Sequence, residues 1–244
     1  MSWISSHPFS VAAHFDYSLV LTYAIPIPAA QRLLPPSLIP DTYENYAFFA
    51  AAFVATKHLR PKGFPKLLGN DFFLAGFRIF VRYNTSFGKN YRGLYILRSL
   101  TDKANMVRAG NIFTHYRYSL IDLQQAVSSD SIALRSQMGQ FEIEVNTENK
   151  EHPLPIDSPF PDWKTARRYA GPLPFTFTVD PIRKRTLIVQ GVREDWEPQG
   201  VAVVHAQLNE LQRFGISDAI LANAFVVYNI PYYWKKGVWD SWKY

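Results

Sequence analysis

The chain has 244 residues, of which 48% are hydrophobic and 16% aromatic, and it carries a formal charge of +6. This composition supports a large core and argues against disorder, and the length suits a single domain spanning residues 1–244. The lack of cysteine excludes disulfides, thiolate metal sites and cysteine nucleophiles; basic residues cluster only at 60–66, 183–185 and 234–236, which argues against a nucleic-acid-binding stripe.

The N-terminal stretch "MSWISSHPFSVAAHFDYS" lacks the basic and apolar regions of a secretory signal. The longest strongly apolar run, residues 46–55, is about half the length of a membrane-crossing helix. The expectation is a cytoplasmic protein with no membrane partner.

Strand signals dominate in chain order. "SLVLTYAIPIP" reads as a strand ending at Pro26 or Pro28, and "PAAQRLLPPSL" as a short helix stopped by Pro35 and Pro36. "YAFFAAAFVATKHL" lacks clean alternation, and its turn-rich flanks favour a strand over a helix. In "GFRIFVRYN" period two places Arg78, Phe80 and Arg82 on one face, and in "GLYILRSL" it places Arg98 with Leu94 and Ile96. "TDKANMVRAGNIF" predicts a short helix with Thr101 or Asp102 as N-cap, weakened near its end by Gly110 and Asn111. "HYRYSLIDL" returns to period two, sending Tyr116, Tyr118 and Leu120 to one side and Arg117, Ser119 and Ile121 to the other.

Hairpins are expected about Gly139-Gln140 and about Asp180-Pro181. Between them lies a proline-rich loop leading into a short helix at 163–169. The tail reads as an ambiguous "VAVVHAQLNEL", a short helical "SDAILANA" and the strand "FVVYNIPYYW". A meander of antiparallel hairpins with three or four short helices is most economically closed into a barrel, because closure removes sheet edges.

The chemistry is sparse. None of His7, His14, His58, His115, His152 and His205 pairs with another at metal-ligand spacing, so no metal site is expected. No Gly-x-Ser-x-Gly elbow and no phosphate-cradling glycine pattern occurs, so no nucleotide cofactor is expected. Glu142 and Glu144 share one strand face, which reads better as solvated surface than as an acid and base pair. Arg78 and Arg82 either lie in solvent against Phe80 or point into a barrel to meet an anion. A buried arginine would need a carboxylate from the protein or from a ligand.

The run "LLPPSLIPDTYENYAFFAAAFVATKHLRPKGFP", then "FRIFVRY", then "GLYILRSLTDKANMVRAGNIFTHYRYSL", with "VVYNIPYYWKKG" near the end, resembles the YqjF-like uncharacterised proteins, a branch of the acetoacetate-decarboxylase-like superfamily. The resemblance covers most of the chain, residues 150–200 least. It implies a mainly β fold with flanking short helices: a cone-shaped antiparallel β-barrel with an internal cavity. In the decarboxylases of that superfamily a lysine forms a Schiff base with the substrate ketone. Laid on this sequence, Gly110 matches the family's glycine, Asn111 and Ile112 replace an arginine and a glutamate, and the lysine pair becomes Tyr118-Ser119. The family's Schiff-base decarboxylation is therefore not expected, and the nearest lysine, Lys103, stands at the helix start.

Two classes of function stay open. One is a lyase, hydratase or isomerase acting on a small oxo-acid or enolisable carbonyl compound. In it Tyr118 is a hydrogen-bond donor or general acid, His115 a base, and Arg78, Arg98 and Tyr116 bind the substrate. The other is a non-catalytic binding protein for a small apolar or acidic ligand. The plainer alternative is that Tyr116 and Tyr118 merely fill the barrel and His115 caps the helix before it. The expected partner is a small-molecule ligand or substrate, with homo-oligomerisation left open.

Overall fold

The computed structural model describes residues 5–148, 152–170, 173–194 and 196–242. Strand β1 (Val11–Pro26) ends at the first of the two prolines, and α1 (Ile27–Leu33) starts with a proline in its first turn. After β2 (Ile39–Pro40) come three long strands, β3 (Tyr46–Pro61), β4 (Asn70–Asn84) and β5 (Asn90–Thr101). Helix α2 (Ala104–Phe113) leads into β6 (Tyr118–Leu120). A smaller meander follows in β7 (Gln124–Val127), β8 (Ser131–Ser136) and β9 (Phe141–Asn146), turning at Gly139 and Gln140 as the sequence predicts. Helix α3 (Trp163–Ala170) precedes the hairpin of β10 (Phe175–Asp180) and β11 (Arg185–Arg193). The chain closes with β12 (Gln199–Gly200), β13 (Ala202–Leu208), α4 (Glu210–Arg213), β14 (Ile220–Trp234) and β15 (Val238–Ser241). No helix of the described residues is long and apolar enough to cross a membrane.

The long strands pair in the order β14-β1-β3-β4-β5-β10-β11, and β11 pairs again with β14, so the path closes on itself. Every junction is antiparallel except β5 with β10, which is parallel. The fold is thus mainly β, with short flanking helices, as expected.

Both faces of the central strands are buried, which explains why "YAFFAAAFVA" shows no alternation. Leu19, Leu21, Phe49 and Phe53 belong to an outer core shared with Ile132 and Phe141 of the second sheet, β13-β9-β8-β7. The Phe53 and Phe141 rings lie 5.2 Å apart. Val20, Phe48, Ala50, Ala52, Val54 and Phe80 form a separate inner core with Phe160 and Ala166, from the segment around α3.

Three local expectations are corrected. "SDAILANA" is not a helix: Asp218 precedes β14, and Ala222 and Ala224 are fully buried within that strand. The site between two neighbouring strands needs small side chains, and this overrides the helical propensity of alanine and leucine. "VAVVHAQLNEL" divides into β13 and α4. Neither Thr101 nor Asp102 caps α2, whose N-cap is Lys103; the Asp102 carboxylate instead accepts the Phe73 N–H at 2.8 Å.

Candidate functional site

The strand register defines an axis through the ring. Going from β3 to β4, Ala50 pairs with Arg78, Ala52 with Gly76, Val54 with Leu74 and Thr56 with Phe72. One end is filled by aromatic rings: Phe48 lies 6.3 Å from Phe80 edge to face and stacks on Phe160 at 5.1 Å, with Tyr43 and Tyr169 against them. Beyond this plug the inward side chains become small, with Ser18, Ala50, Ala52, Gly76 and Ser99, and a cavity of about 140 Å³ opens. Its volume follows from this change in side-chain size between facing strands.

Arg78 projects into that cavity, and its guanidinium lies over Gly76, where a Cβ would collide with it. Its Nε is buried without a hydrogen-bond partner, and among the described residues no carboxylate forms an ion pair with it. Burial works against its charged form, offset in part by Tyr232, Tyr118 and Tyr116 around it. The neighbouring Arg82 is spent otherwise: with Arg92 it clamps the fully buried Asp41 at 2.7 and 2.5 Å.

The tyrosines are held by comparable means. A Cβ on Gly110 would overlap the Tyr118 ring, and one on Gly191 would overlap Tyr232. The Asn111 side chain brackets the Tyr118 backbone, accepting its N–H at 2.8 Å and donating to its carbonyl at 3.0 Å. Gly110 and Asn111, read from sequence as weaknesses in α2, thus form the seat of Tyr118. Burial pushes the Tyr118 phenol up to about 12, with Arg78 opposing, so near neutral pH it is a proton donor and not a base. Tyr116 shares a hydrogen bond of 2.9 Å with Thr176, linking the segment before β6 to β10, and burial raises its pKa still further.

Arg193 also reaches the cavity and hydrogen-bonds Tyr232. Arg193 and Tyr232 were not singled out from the sequence. Period two in "GVR" puts Arg193 on the face of Gly191, and in "YYW" it puts Tyr232 with Trp234, all of which line the cavity. With two guanidiniums, three phenols, two serines and a threonine, the lining contains no aspartate, glutamate, histidine or lysine.

Of the five nominated residues, the structure brings Arg78, Tyr116 and Tyr118 together, while Arg98 and His115 lie elsewhere. A bulge at Leu97, where Phe77 faces Arg98 but Arg78 faces Ile96, reverses the alternation. Ser99 takes the inward place, and Arg98 pairs instead with buried Glu210. His115 precedes β6, which begins only at Tyr118 after a left-handed residue at Arg117. It lines a separate pocket with Tyr95, Arg117 and Thr178, and its Nε2 is buried without a partner. Among the described residues no three histidine, aspartate or glutamate side chains gather closely enough to hold a metal ion.

A second pocket, of about 350 Å³, adjoins the cavity and shares Leu74, Tyr116, Tyr118 and Trp234 with it. His7 lines it, with a buried and unpartnered Nε2, and burial lowers its pKa to about 4. Below its ordinary value of 6.5 the unfolded chain takes up a proton that folded His7 refuses. Stability should therefore fall as pH drops from 6.5 towards 4, by up to about 3 kcal/mol from this group. Urea unfolding at pH 7 and pH 5 should show a shallower pH dependence in His7→Gln than in the wild type; an unchanged slope would remove His7 from this role.

A family model described as DUF2071, uncharacterized conserved protein, matches residues 12–232. No curated protein matches the chain. Among solved structures, acetoacetate decarboxylase from Legionella pneumophila subsp. pneumophila str. Philadelphia 1 is similar, at a TM-score of 0.62 and 12% identity, over 93% of this chain and 86% of that one. An acetoacetate decarboxylase-like enzyme from Sphingomonas wittichii RW1 is similar at 0.60 and 12%, over 97% and 93%. The enduracididine biosynthesis enzyme MppR, complexed with pyruvate, is similar at 0.53 and 12%, over 94% and 88%. The fold is therefore that of acetoacetate-decarboxylase-like proteins.

Proposed function

We propose that this chain, which belongs to the DUF2071 family, holds a small 2-oxo acid in its ring, with Arg78 on the carboxylate and Tyr118 donating to the carbonyl oxygen. The observation that carries this reading is the Arg78 guanidinium, its Nε buried and unpartnered, which faces a cavity without a single acidic side chain. An uncompensated buried charge costs several kcal/mol, and an anionic ligand supplies the missing partner. The cavity of about 140 Å³ is below the roughly 300–1,000 Å³ of pockets for drug-sized ligands, which favours a short head group. The likeness to MppR, whose structure holds pyruvate, supports the same class of ligand.

No lysine lines the cavity, and Lys103, at the start of α2, sits beside Asp102 with its side chain half exposed. This supports placing the chain in the YqjF-like branch, with no lysine in position to form a Schiff base in the cavity. Chemistry in such a site rests on polarisation. A neutral Tyr118 phenol beside a guanidinium stabilises negative charge growing on the carbonyl oxygen as an enolate forms. Lyase, hydratase and isomerase reactions that make or break a bond at the carbon beside the carbonyl develop that charge. The cavity provides no base of its own, so the proton lost from carbon would leave to water. Where no enolate forms, the same site is a non-catalytic binder.

Proton exchange separates the two. In heavy water, the protein should accelerate exchange of the C3 hydrogens of pyruvate, followed by NMR, and Tyr118→Phe should slow the accelerated rate on the order of 100-fold while still binding pyruvate. Exchange at the background rate despite saturable binding would leave the binder reading standing. Equal acceleration by Tyr118→Phe would remove Tyr118 from the chemistry.

A further inference from the structure

The second pocket lies directly along the ring axis from the cavity. The inward pairs on β3 and β4 run Ala50–Arg78, Ala52–Gly76, Val54–Leu74 and Thr56–Phe72. The first three pairs line the cavity, and the outer pocket takes over from Leu74, through Thr56 and Phe72, to Leu59 and Asn70. The guanidinium of Arg78 reaches back over Gly76, towards the outer pocket and away from the aromatic plug. From Gly76 to Phe72 is four strand residues, about 13 Å.

The wall of the outer pocket is apolar on its helical side as well. Met106, Ala109, Gly110 and Phe113 follow the i, i+3, i+4, i+7 spacing of one helix face, and all four line it. The Tyr118 ring rests on Gly110 of that face, while its hydroxyl end belongs to the Arg78 cluster, so this one side chain borders both spaces. Among the pocket's lining residues the cation Arg60 is tied back to the Phe64 and His58 carbonyls at 2.8 Å each.

We propose that cavity and outer pocket form one bipartite site for a 2-oxo acid with a straight apolar tail, its head at Arg78 and its tail running past Tyr118 and Leu74 beneath α2. This rests on the carboxylate reading of the cavity and adds the chemical class of the rest of the ligand. The cavity alone takes a head group of a few heavy atoms; the outer pocket, at about 350 Å³, falls within the range of pockets that bury apolar ligands. A tail of about six carbons spans the step from Gly76 past Leu74 and places its end against Ala109 and Phe113.

Isothermal titration of the straight-chain series pyruvate, 2-oxobutyrate, 2-oxohexanoate and 2-oxooctanoate into the intact protein tests this. Each methylene that enters the outer pocket should tighten binding roughly fourfold at full burial, and 2-oxooctanoate should bind on the order of 100-fold tighter than pyruvate. In Ala109→Phe, which fills the outer pocket, the ratio of the two affinities should fall at least tenfold. Arg78→Met should lose both ligands. A flat or declining series in the wild type overturns the bipartite site, whatever Ala109→Phe does. If pyruvate binding in that case still depends on Arg78, the carboxylate reading survives. If 2-oxooctanoate binds equally well to Arg78→Met, the head is not at Arg78 and both readings fall.

Discussion

Replacing Arg78 by methionine is expected to stabilise the fold while abolishing its hold on carboxylates. The guanidinium, its Nε buried, lies in a space lined by phenols, hydroxyls and apolar groups, with no acidic partner among the described residues. Burial already works against its charged form, so folding must bear a desolvation cost that no ion pair offsets. Methionine keeps the unbranched stem and removes the charge, so the variant should gain about 1–3 kcal/mol of stability. That corresponds to roughly 2–4 °C in Tm for each kcal/mol. Pyruvate affinity should meanwhile drop by two orders of magnitude or more, as expected when one member of a buried charge pair is lost. Thermal unfolding and calorimetric titration of the same preparation read both effects. A variant that is clearly less stable would mean that Arg78 is a structural residue with a partner of its own.

Arg98→Met should have the opposite sign on stability and no effect on binding. Arg98 pairs with the Glu210 carboxylate, which is 1% exposed, and Arg213 approaches the same oxygen only at 3.7 Å from the surface. Glu210 Oε2 is already buried without a hydrogen-bond partner. Removing Arg98 leaves a buried carboxylate nearly alone, at a cost of about 3–5 kcal/mol. Changing Glu210 to glutamine in the same chain should restore part of the loss, because the two substitutions remove one interaction. Urea unfolding of the two single variants and the double variant measures this. Additive losses in the double variant would show that the pair is not the source of the effect. The two arginines, similar in sequence context, thus differ in whether the fold supplies their counter-charge.

The two arginine-bearing strands differ in whether local alternation carries through to the ring. Alternation in "GFRIFVRY" holds through β4 and keeps Arg78 on the face of Phe80, which is the face turned into the ring. In "GLYILRSL" a single extra residue at Leu97 reverses the faces, and nothing local marks that bulge. His115 and Tyr118 stand three residues apart, so even a strand from residue 115 would turn them to opposite faces. The strand starts only at Tyr118, and the Asn111 side chain, seven residues back, fixes that start. The hairpins at Gly139-Gln140 and Asp180-Pro181 were legible because turn chemistry is local. The seats of the cavity side chains were not, since Gly76, Gly110 and Gly191 come from three separate elements and meet their partners only in the folded ring. Arg193 and Tyr232 remained hidden for the same reason, being brought to Arg78 by the closure of β11 on β14.

The most direct test of the account is a crystal structure of the protein soaked in pyruvate. The account predicts density for the acid inside the ring, with a carboxylate oxygen about 2.7–3.0 Å from the Arg78 guanidinium and the carbonyl oxygen within hydrogen-bond reach of the Tyr118 hydroxyl. A cavity holding only water at saturating pyruvate, or pyruvate bound solely outside the ring, would contradict it.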